Sequence, residues 1–179
     1  MEILRVLLMG FAILIGVILI IPLFTKKNIS VVRDVLINRP KVEVFDFVKL
    51  LKNQDYFSVW ANKDPDMIKD FRGTDGTVGF VSSWDSQMKD VGMGEQEIIK
   101  ISDGERIDYE LRFLKPFKAT NFADFTFEDI SESQTRVKWG FSGKMNYPMN
   151  LFLLIRDMEG MLGKDLQIGL ENLKNVLEK

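Results

Sequence analysis

The chain has 179 residues, with 24 basic and 26 acidic side chains, and 46% of its residues are hydrophobic. This balance excludes an intrinsically disordered chain, and the lack of a dense basic block argues against a nucleic-acid-binding surface. The sequence contains neither cysteine nor histidine, which excludes disulfides, thiol nucleophiles, imidazole bases and the usual zinc and haem sites.

The first predicted element is a membrane-spanning helix. Residues 6–24, VLLMGFAILIGVILIIPLF, contain no charged side chain, and at ~1.5 Å per helical residue they nearly match the ~30 Å hydrocarbon core of a bilayer. Arg5 precedes this run and Lys26 and Lys27 follow it, so basic side chains at both ends can reach the head groups. A buried core helix would show a polar face, and a cleaved signal peptide has a shorter apolar run and a small-x-small cleavage site. We therefore predict an uncleaved single-pass anchor over residues 1–27.

The charges around the predicted anchor bear on its orientation. The two lysines on its C-terminal side outnumber Arg5, whose charge Glu2 partly offsets. Because cytoplasmic flanks carry an excess of basic residues, this pattern favours a cytoplasmic location for residues 28–179. Only the short polar segment TKKNIS joins the anchor to the next predicted strand, so we expect the soluble domain to lie close to the bilayer.

The soluble domain begins with a strand and a helix. Residues 30–37, SVVRDVLI, are rich in β-branched side chains, and Pro40 then suits the first turn of a helix. Apolar side chains recur at helical spacing over residues 44–51. Farther along the chain, apolar side chains recur at every second residue, as in strands. This alternation predicts five or six further strands, which we place at residues 67–71, 78–84, 95–101, 106–113, 119–128 and 135–142.

These strands are expected to form an antiparallel sheet covered by a helix. The turns between them are short and rich in glycine, aspartate and serine, which leaves no room for crossover helices. In residues 106–113, for example, Ile107 and Tyr109 alternate with Asp108, which predicts one apolar and one solvated face. Apolar residues at every third or fourth position of residues 151–177 predict a helix of about 30 residues over the apolar face. Its three internal glycines could allow close approach to the sheet or leave room beside the helix, and we favour close approach.

The stretch WDSQMKDVGMGEQEI, residues 84–98, places Gly92 and Gly94 around a methionine. A phosphate-binding loop would run from a strand through glycines into a helix. Here the glycines lead into a predicted strand, so we interpret them as residues that permit the sheet to bend.

Residues 30–179 carry a series of motifs whose order and spacing resemble a known family. These motifs are INRPKVEVFDFV, Trp60 with KDPDM, GTDGTVGFVSSWDSQMKDVGMGEQEI, RIDYELRFLKPF, TRVKWGFSGKMNYPMN and GKDLQIGLENLK. The series is similar to the START-like helix-grip superfamily in its SRPBCC branch, the polyketide cyclase/dehydrase and lipid-transport family. The resemblance implies an α+β fold for residues 28–179, with a curved antiparallel β-sheet wrapped around a long C-terminal α-helix and an apolar cavity between them. Members of this family hold different molecules in that cavity, among them lipids, sterols, polyketides and plant hormones. Some are cyclases, many only bind and carry, and many have no known ligand, so the resemblance by itself does not choose a function.

Large aromatic side chains on the apolar face form the candidate binding site. The set that could line the cavity is Trp60, Trp84, Tyr109, Phe113, Phe125, Trp139 and Phe141. The alternative is that these side chains simply fill the core, as large aromatics often do. Tyr109 differs from the others because its hydroxyl could orient a ligand carbonyl.

Two carboxylate pairs have the spacing that acid/base chemistry would require. Asp108 and Glu110 alternate with the apolar residues of their strand, which places them on the solvated face. Glu95 and Glu97 share parity with Ile99 and Ile101, which would allow a partly buried site, but we do not favour this pair as a catalytic site.

These patterns predict a membrane-tethered binding or carrier domain that holds a hydrophobic small molecule or lipid. The alternative is a polyketide cyclase/dehydrase-type enzyme, in which Tyr109 or a buried carboxylate polarises a bound carbonyl. The absence of histidine leaves few bases near neutral pH, which favours a non-catalytic ligand-binding protein. A protein-interaction domain with a filled core is a third hypothesis. We predict no catalytic residue, metal or cofactor and no nucleic-acid partner, and no sequence feature specifies an oligomeric state.

Overall fold

The computed structural model describes residues 1–179. Its α-helices are α1 (Glu2–Ile20), α2 (Lys41–Lys49), α3 (Phe152–Ile155) and α4 (Met158–Leu177). Its strands are β1 (Asn28–Ile37), β2 (Ile68–Arg72), β3 (Val81–Asp85), β4 (Met93–Ser102), β5 (Arg106–Lys115), β6 (Ala119–Ser131) and β7 (Gln134–Lys144). Four short 3₁₀ segments connect these elements: Ile21–Leu23, Leu51–Tyr56, Trp60–Asn62 and Met149–Leu151.

The seven strands form one antiparallel sheet in the order β1-β7-β6-β5-β4-β3-β2. Hairpins join β2 through β7 in sequence, and β1 closes the far edge by pairing with β7. All predicted strands are confirmed, with boundaries that move by no more than three residues. The largest change at a strand start is in β3, which begins at Val81 because Gly79, with φ of +89°, precedes it in a left-handed conformation that interrupts extended backbone.

The core lies between one face of this sheet and the two longer helices of the domain. Val44 and Val48 of α2 are fully buried, as are Leu170 and Leu173 of α4. These side chains pack into one cluster of 19 buried residues with the inward-facing side chains of the sheet. The predicted apolar and solvated faces are therefore confirmed.

The C-terminal helix is shorter than predicted. Instead of one helix of about 30 residues, the segment divides into α3 and the 20-residue α4, because Arg156 between them is extended at φ −123° and ψ 135°. Asp157 then caps α4 by accepting a hydrogen bond from the Gly160 amide at 2.9 Å. The predicted close approach to the sheet is confirmed at Gly169, where a Cβ would lie 2.7 Å from Cζ3 of Trp139.

A register shift between Ile98 and Lys100 changes which residues of β4 face inward. Ile98 is fully buried, whereas Ile99 is 39% exposed. The extra residue at Ile99 breaks the alternation between the two glutamates and Ile101, which packs against the core. The two carboxylates therefore lie on the outer face of the sheet.

Helix α1 stands apart from the domain, since none of its residues is buried. Together with the following 3₁₀ turn it forms one apolar helix, Glu2–Leu23, that is long enough to span a membrane; a signal sequence has the same length and composition. Pro22 at its end is buried against the domain, and its carbonyl accepts a hydrogen bond from Nδ2 of the fully buried Asn150 at 2.7 Å.

Candidate ligand-binding cavity

A cavity of about 840 Å³ lies between the inner face of the sheet and the first half of α4. Strands β3 to β7 supply one wall, and Leu162 and Leu166 of α4 supply part of the other. The 3₁₀ segments between α2 and β2 close the side, with Leu51 and Trp60 on the lining. Of the 37 lining residues, 21 are hydrophobic, so the cavity suits a largely apolar ligand.

Five of the seven predicted aromatic residues line this cavity. They are Trp60, Trp84, Phe113, Trp139 and Phe141. Trp60 meets Trp139 edge-on, with ring centroids 5.9 Å apart. Trp84 meets Phe113 in the same way at 5.8 Å. Trp84, Phe113 and Trp139 lie on three strands, whereas Trp60 lies on a 3₁₀ segment that packs against the sheet. The contact of these residues with a ligand stays a prediction.

The other two predicted residues, Tyr109 and Phe125, do not line the cavity. Both are fully buried, and their rings meet edge-on with centroids 6.2 Å apart. Tyr109 is four residues before Phe113 on β5, or ~13 Å along a strand, and at that depth the core cluster fills the space. Burial raises the pKa of Tyr109, whose hydroxyl has no hydrogen-bond partner in the protein.

Two buried polar residues on the lining were not predicted. Gln54 and Ser58 belong to the 3₁₀ region after α2, where no hydrophobic period marks which side chains point inward. The side-chain nitrogen of Gln54 is buried without a hydrogen-bond partner. These side chains add polar groups to an otherwise apolar interior.

Most of the exposed lining residues lie in two segments at one end of the sheet. Residues 115–120 form the β5–β6 hairpin, and residues 144–149 lead from β7 towards α3. Lys115, Phe117 and Tyr147 are among the exposed members. We call these two segments the mouth of the cavity. No sequence pattern located it, because its two segments are 24 residues apart in the chain.

The predicted bend at Gly92 and Gly94 is confirmed. Gly92 has a φ of +66° in the turn before β4, and the β4–β5 register shifts between Met93 and Gly94. A strand follows these glycines and not a helix, so the geometry of a phosphate-binding loop is absent. Trp84 lies opposite Gly94 on β3, which places the bend at the cavity wall.

The strongest charge cluster lies on the outer face of the sheet, away from the cavity. Arg112 donates hydrogen bonds to Glu95 at 2.7 Å, Glu97 at 2.7 Å and Glu110 at 2.6 Å. Arg72 adds a bond to Glu95 at 2.6 Å. Hydrogen bonds from Arg72 and Arg112 lower the pKa of the Glu95 carboxyl, since both favour its charged form. This cluster ties β2, β4 and β5 together and does not contact the ligand space.

The carboxylates on the cavity lining are engaged in ion pairs. Asp55 accepts a hydrogen bond from Lys69 at 2.6 Å, and Asp90 lies 2.8 Å from the Lys63 ammonium. No group of three or more acidic residues is arranged to hold a metal ion. The arrangement suits retention of an apolar molecule better than proton transfer to it.

No protein-family model and no curated protein matches the chain. Solved structures do match it. The Aha1 dimer from Colwellia psychrerythraea is 14% identical, with a TM-score of 0.58 over 84% of this chain and 96% of that chain. A protein from Mesorhizobium loti is 16% identical, with a TM-score of 0.60 over 84% of this chain and 97% of that one. The di-domain ARO/CYC BexL from the BE-7585A biosynthetic pathway is 19% identical, with a TM-score of 0.60 over 85% of this chain and 50% of its own length.

The chain has their fold. At these levels of identity the likeness extends to the fold and not to an activity or ligand. The predicted α+β architecture is confirmed as a seven-stranded antiparallel sheet with a C-terminal helix, consistent with a helix-grip fold.

Proposed function

We propose that this protein is a membrane-tethered binding or carrier protein, which holds a hydrophobic small molecule or lipid between its sheet and α4. The cavity of about 840 Å³ carries this proposal. Its volume falls within the range of about 300–1,000 Å³ that small-molecule sites occupy. Most of its lining residues are hydrophobic, so transfer of an apolar ligand from water would be favourable.

The distribution of polar groups supports an amphiphilic ligand. Aromatic and aliphatic side chains surround the middle of the cavity, whereas Lys115, Lys118 and Lys144 lie on its lining at the mouth. An acyl chain or ring system would occupy the apolar interior, and a polar or anionic group would remain beside the lysines. Gln54 and Ser58 offer a second polar position inside.

The tether is supported by how α1 relates to the domain. A helix of this apolar composition that belonged to a soluble core would be buried, but α1 buries none of its residues. Its end is held to the domain through Pro22 and Asn150, so the domain would lie directly beside the bilayer. The excess of lysine after α1 favours the cytoplasmic side.

The enzymatic alternative required a polarising group in the ligand space. Tyr109 was the first candidate, and its side chain lies in the core instead of on the lining. The lining carboxylates of Asp55 and Asp90 are paired with lysines. These positions favour binding over catalysis as the function of the cavity.

Photochemical crosslinking tests the proposal. The full chain would be reconstituted in vesicles that contain a trace of phospholipid or fatty acid with an acyl-chain diazirine, and adducts would be mapped by peptide mass spectrometry. We expect adducts on α1 and also on cavity residues such as Leu111 and Phe141. Adducts on α1 alone would contradict ligand binding while leaving the tether intact.

A matched pair of substitutions in α4 sharpens this test. Leu162 lines the cavity, whereas Ile168 is 38% exposed and does not. Leu162→Trp should fill the ligand space and remove most adducts on Leu111 and Phe141. Ile168→Trp introduces the same side chain on the same helix and should leave them unchanged, and the α1 adducts serve as an internal standard in both.

A further inference from the structure

The end of α1 is fixed to the side of the cavity mouth. Asn150 Nδ2 donates to the Pro22 carbonyl at 2.7 Å, and the Met145 amide donates to the Lys27 carbonyl at 2.8 Å. Lys26 and Glu159 form an ion pair at 2.9 Å. The first two contacts join residues 22–27 to the connection between β7 and α4, and the ion pair joins them to the first turn of α4. The anchor and the mouth therefore lie at the same end of the sheet, without a free linker between them.

The same end exposes large apolar side chains outside α1. Phe117 in the β5–β6 hairpin is 68% exposed, and Ile155 in α3 is 70% exposed. Leu154 and Phe152 of α3 are exposed as well. The surfaces of soluble monomeric proteins rarely gather such residues, and where they do the patch commonly marks a binding surface.

Basic residues surround these apolar side chains. We define the rim as residues 26–27, 115–118 and 144–156. Together these segments contain six basic residues and no acidic residue, in a chain whose net charge is −2. A surface that combines exposed apolar and basic side chains complements anionic lipid head groups over an acyl interior.

Two turns at the other end of the sheet have neither feature. The β4–β5 turn contains Asp103, Gly104 and Glu105, and the β6–β7 turn contains Glu132 and Ser133. These turns carry no basic residue and no large apolar one. Basic and large apolar side chains are therefore more frequent in the segments around the mouth than in these two turns.

We propose that the rim is a lipid-docking surface. The apolar side chains of the rim insert at the boundary between head groups and acyl chains of an anionic bilayer, and its basic side chains contact lipid phosphates. The mouth then faces the bilayer in which α1 is embedded, and an apolar ligand passes between membrane and cavity without crossing bulk water. This inference rests on the proposed membrane-tethered function and names the partner of its cavity.

The absence of cysteine makes a direct test possible. Single cysteines would replace Phe117, Ile155 and, at the opposite end, Glu132, and each would be labelled with an environment-sensitive fluorophore in the full chain. All three positions are exposed, so the substitutions should not disturb folding, which circular dichroism would check. In vesicles of phosphatidylcholine and phosphatidylglycerol, we expect blue-shifted emission at 117 and 155 that brominated lipids quench. The emission of the label at 132 should stay that of a water-exposed fluorophore in every vesicle, without quenching by brominated lipids.

The charge contribution is tested with the double substitution Lys118→Glu and Lys144→Glu. We expect it to reduce the blue shift and the quenching at 117 in anionic vesicles. In vesicles of phosphatidylcholine alone, the double variant and the parent should differ little, because the surface charge is absent. An equal signal from parent and double variant in anionic vesicles would overturn the role of the lysines.

Three outcomes separate this inference from the proposed function. If labels at 117 and 155 report water while diazirine adducts still form in the cavity, lipid docking is overturned and ligand binding stands. If both labels are shielded from water but brominated lipids do not quench them, a second copy of the chain covers the rim and docking is again overturned. If the rim labels are quenched but no cavity adduct forms, the docking surface stands and the proposed ligand function fails.

Discussion

Trp84 and Gly94 face each other across β3 and β4, and the indole ring occupies the space that a side chain at position 94 would require. A Cβ there would lie 2.5 Å from Cζ2 of Trp84 and 2.7 Å from the Arg112 carbonyl oxygen. The glycine therefore lets an aromatic side chain of the cavity wall lie flat against the neighbouring strand. The ring also meets Phe113, so the position of one glycine affects two lining residues.

Replacing this glycine should destabilise the domain and displace Trp84. Because the Arg112 carbonyl is backbone and cannot rotate away, we expect Gly94→Ala to lower the free energy of unfolding by about 1–3 kcal/mol. Denaturant unfolding would measure the loss, and the near-ultraviolet circular dichroism of the tryptophans would report the displacement. Gly140→Ala is the control, since the atoms nearest to a Cβ there belong to the side-chain carboxylate of Asp124 and not to backbone. Equal losses in the two variants would contradict this account.

Asn150 should control how firmly α1 is held to the domain. Its side chain is fully buried and donates to the Pro22 carbonyl. Asn150→Ala removes the shorter hydrogen bond to that carbonyl, which then keeps only the 3.4 Å bond from the Thr25 amide, and we expect a cost of about 0.5–1.5 kcal/mol. We expect trypsin to cleave faster after Lys26 and Lys27, because the segment opens more often.

The control for this experiment is Asn146→Ala. Asn146 is exposed, and its side chain makes no hydrogen bond in the protein. Its replacement should leave the rate of cleavage after Lys26 and Lys27 unchanged. A similar acceleration in both variants would mean that the connection as a whole, and not the Asn150 contact, limits access.

Tyr109→Phe should be tolerated. The hydroxyl of Tyr109 is buried without a protein partner, so its removal relieves a desolvated polar group and loses no hydrogen bond. We expect the free energy of unfolding to stay constant or to rise by up to ~1 kcal/mol. Cavity adducts in the diazirine experiment should also persist. A loss of ligand capture in a stably folded Tyr109→Phe protein would contradict this prediction and show that the Tyr109 hydroxyl contributes to ligand binding.

The outer-face cluster around Arg112 predicts a specific response to acid. The pKa of Glu95 is lowered from its ordinary value of 4.5 by its hydrogen bonds with Arg72 and Arg112. A carboxyl whose pKa is lower in the folded state contributes stability above its unfolded pKa and loses that contribution as the pH falls through the folded value. The free energy of unfolding should therefore decrease more steeply below about pH 4.5 in the parent than in Glu95→Gln.

Thermal unfolding as a function of pH measures this difference. At neutral pH, Glu95→Gln should be less stable than the parent by about 1–2 kcal/mol, and the two curves should approach each other in acid. Glu132→Gln is the control, because its carboxylate forms no ion pair and lies in an exposed turn. Parallel pH curves for the parent and Glu95→Gln would show that the cluster contributes little to stability.

The strands and their faces could be predicted because they depend on local alternation. An apolar side chain at every second position of β5 or β7 identifies a half-buried strand whatever its neighbours are. The same reasoning failed at Ile99, where one extra residue shifts the register with β5. A bulge is a property of two paired strands, and alternation within one of them does not reveal it.

The candidate site also combines features that follow from local alternation with features that depend on tertiary packing. Trp84, Phe113 and Phe141 were chosen because they share the apolar face, and they lie on the cavity lining. The same criterion also selected Tyr109 and Phe125, which lie deeper in the core. Depth along a strand depends on what packs above it, and here the core cluster extends over the middle of the sheet. Gln54 and Ser58 escaped prediction because their segment has no regular period.

The sequence alone determined the apolar N-terminal helix, the positions of the strands along the chain and the apolar face that α4 covers, because each of these follows from a run or period of neighbouring residues. Only the tertiary structure decided where that face remains open as a cavity. It also brought residues 22–27, 115–120 and 144–156 to one end of the sheet. These segments are distant in the chain and share no pattern, so their proximity arises from antiparallel pairing and the path of the β7–α4 connection.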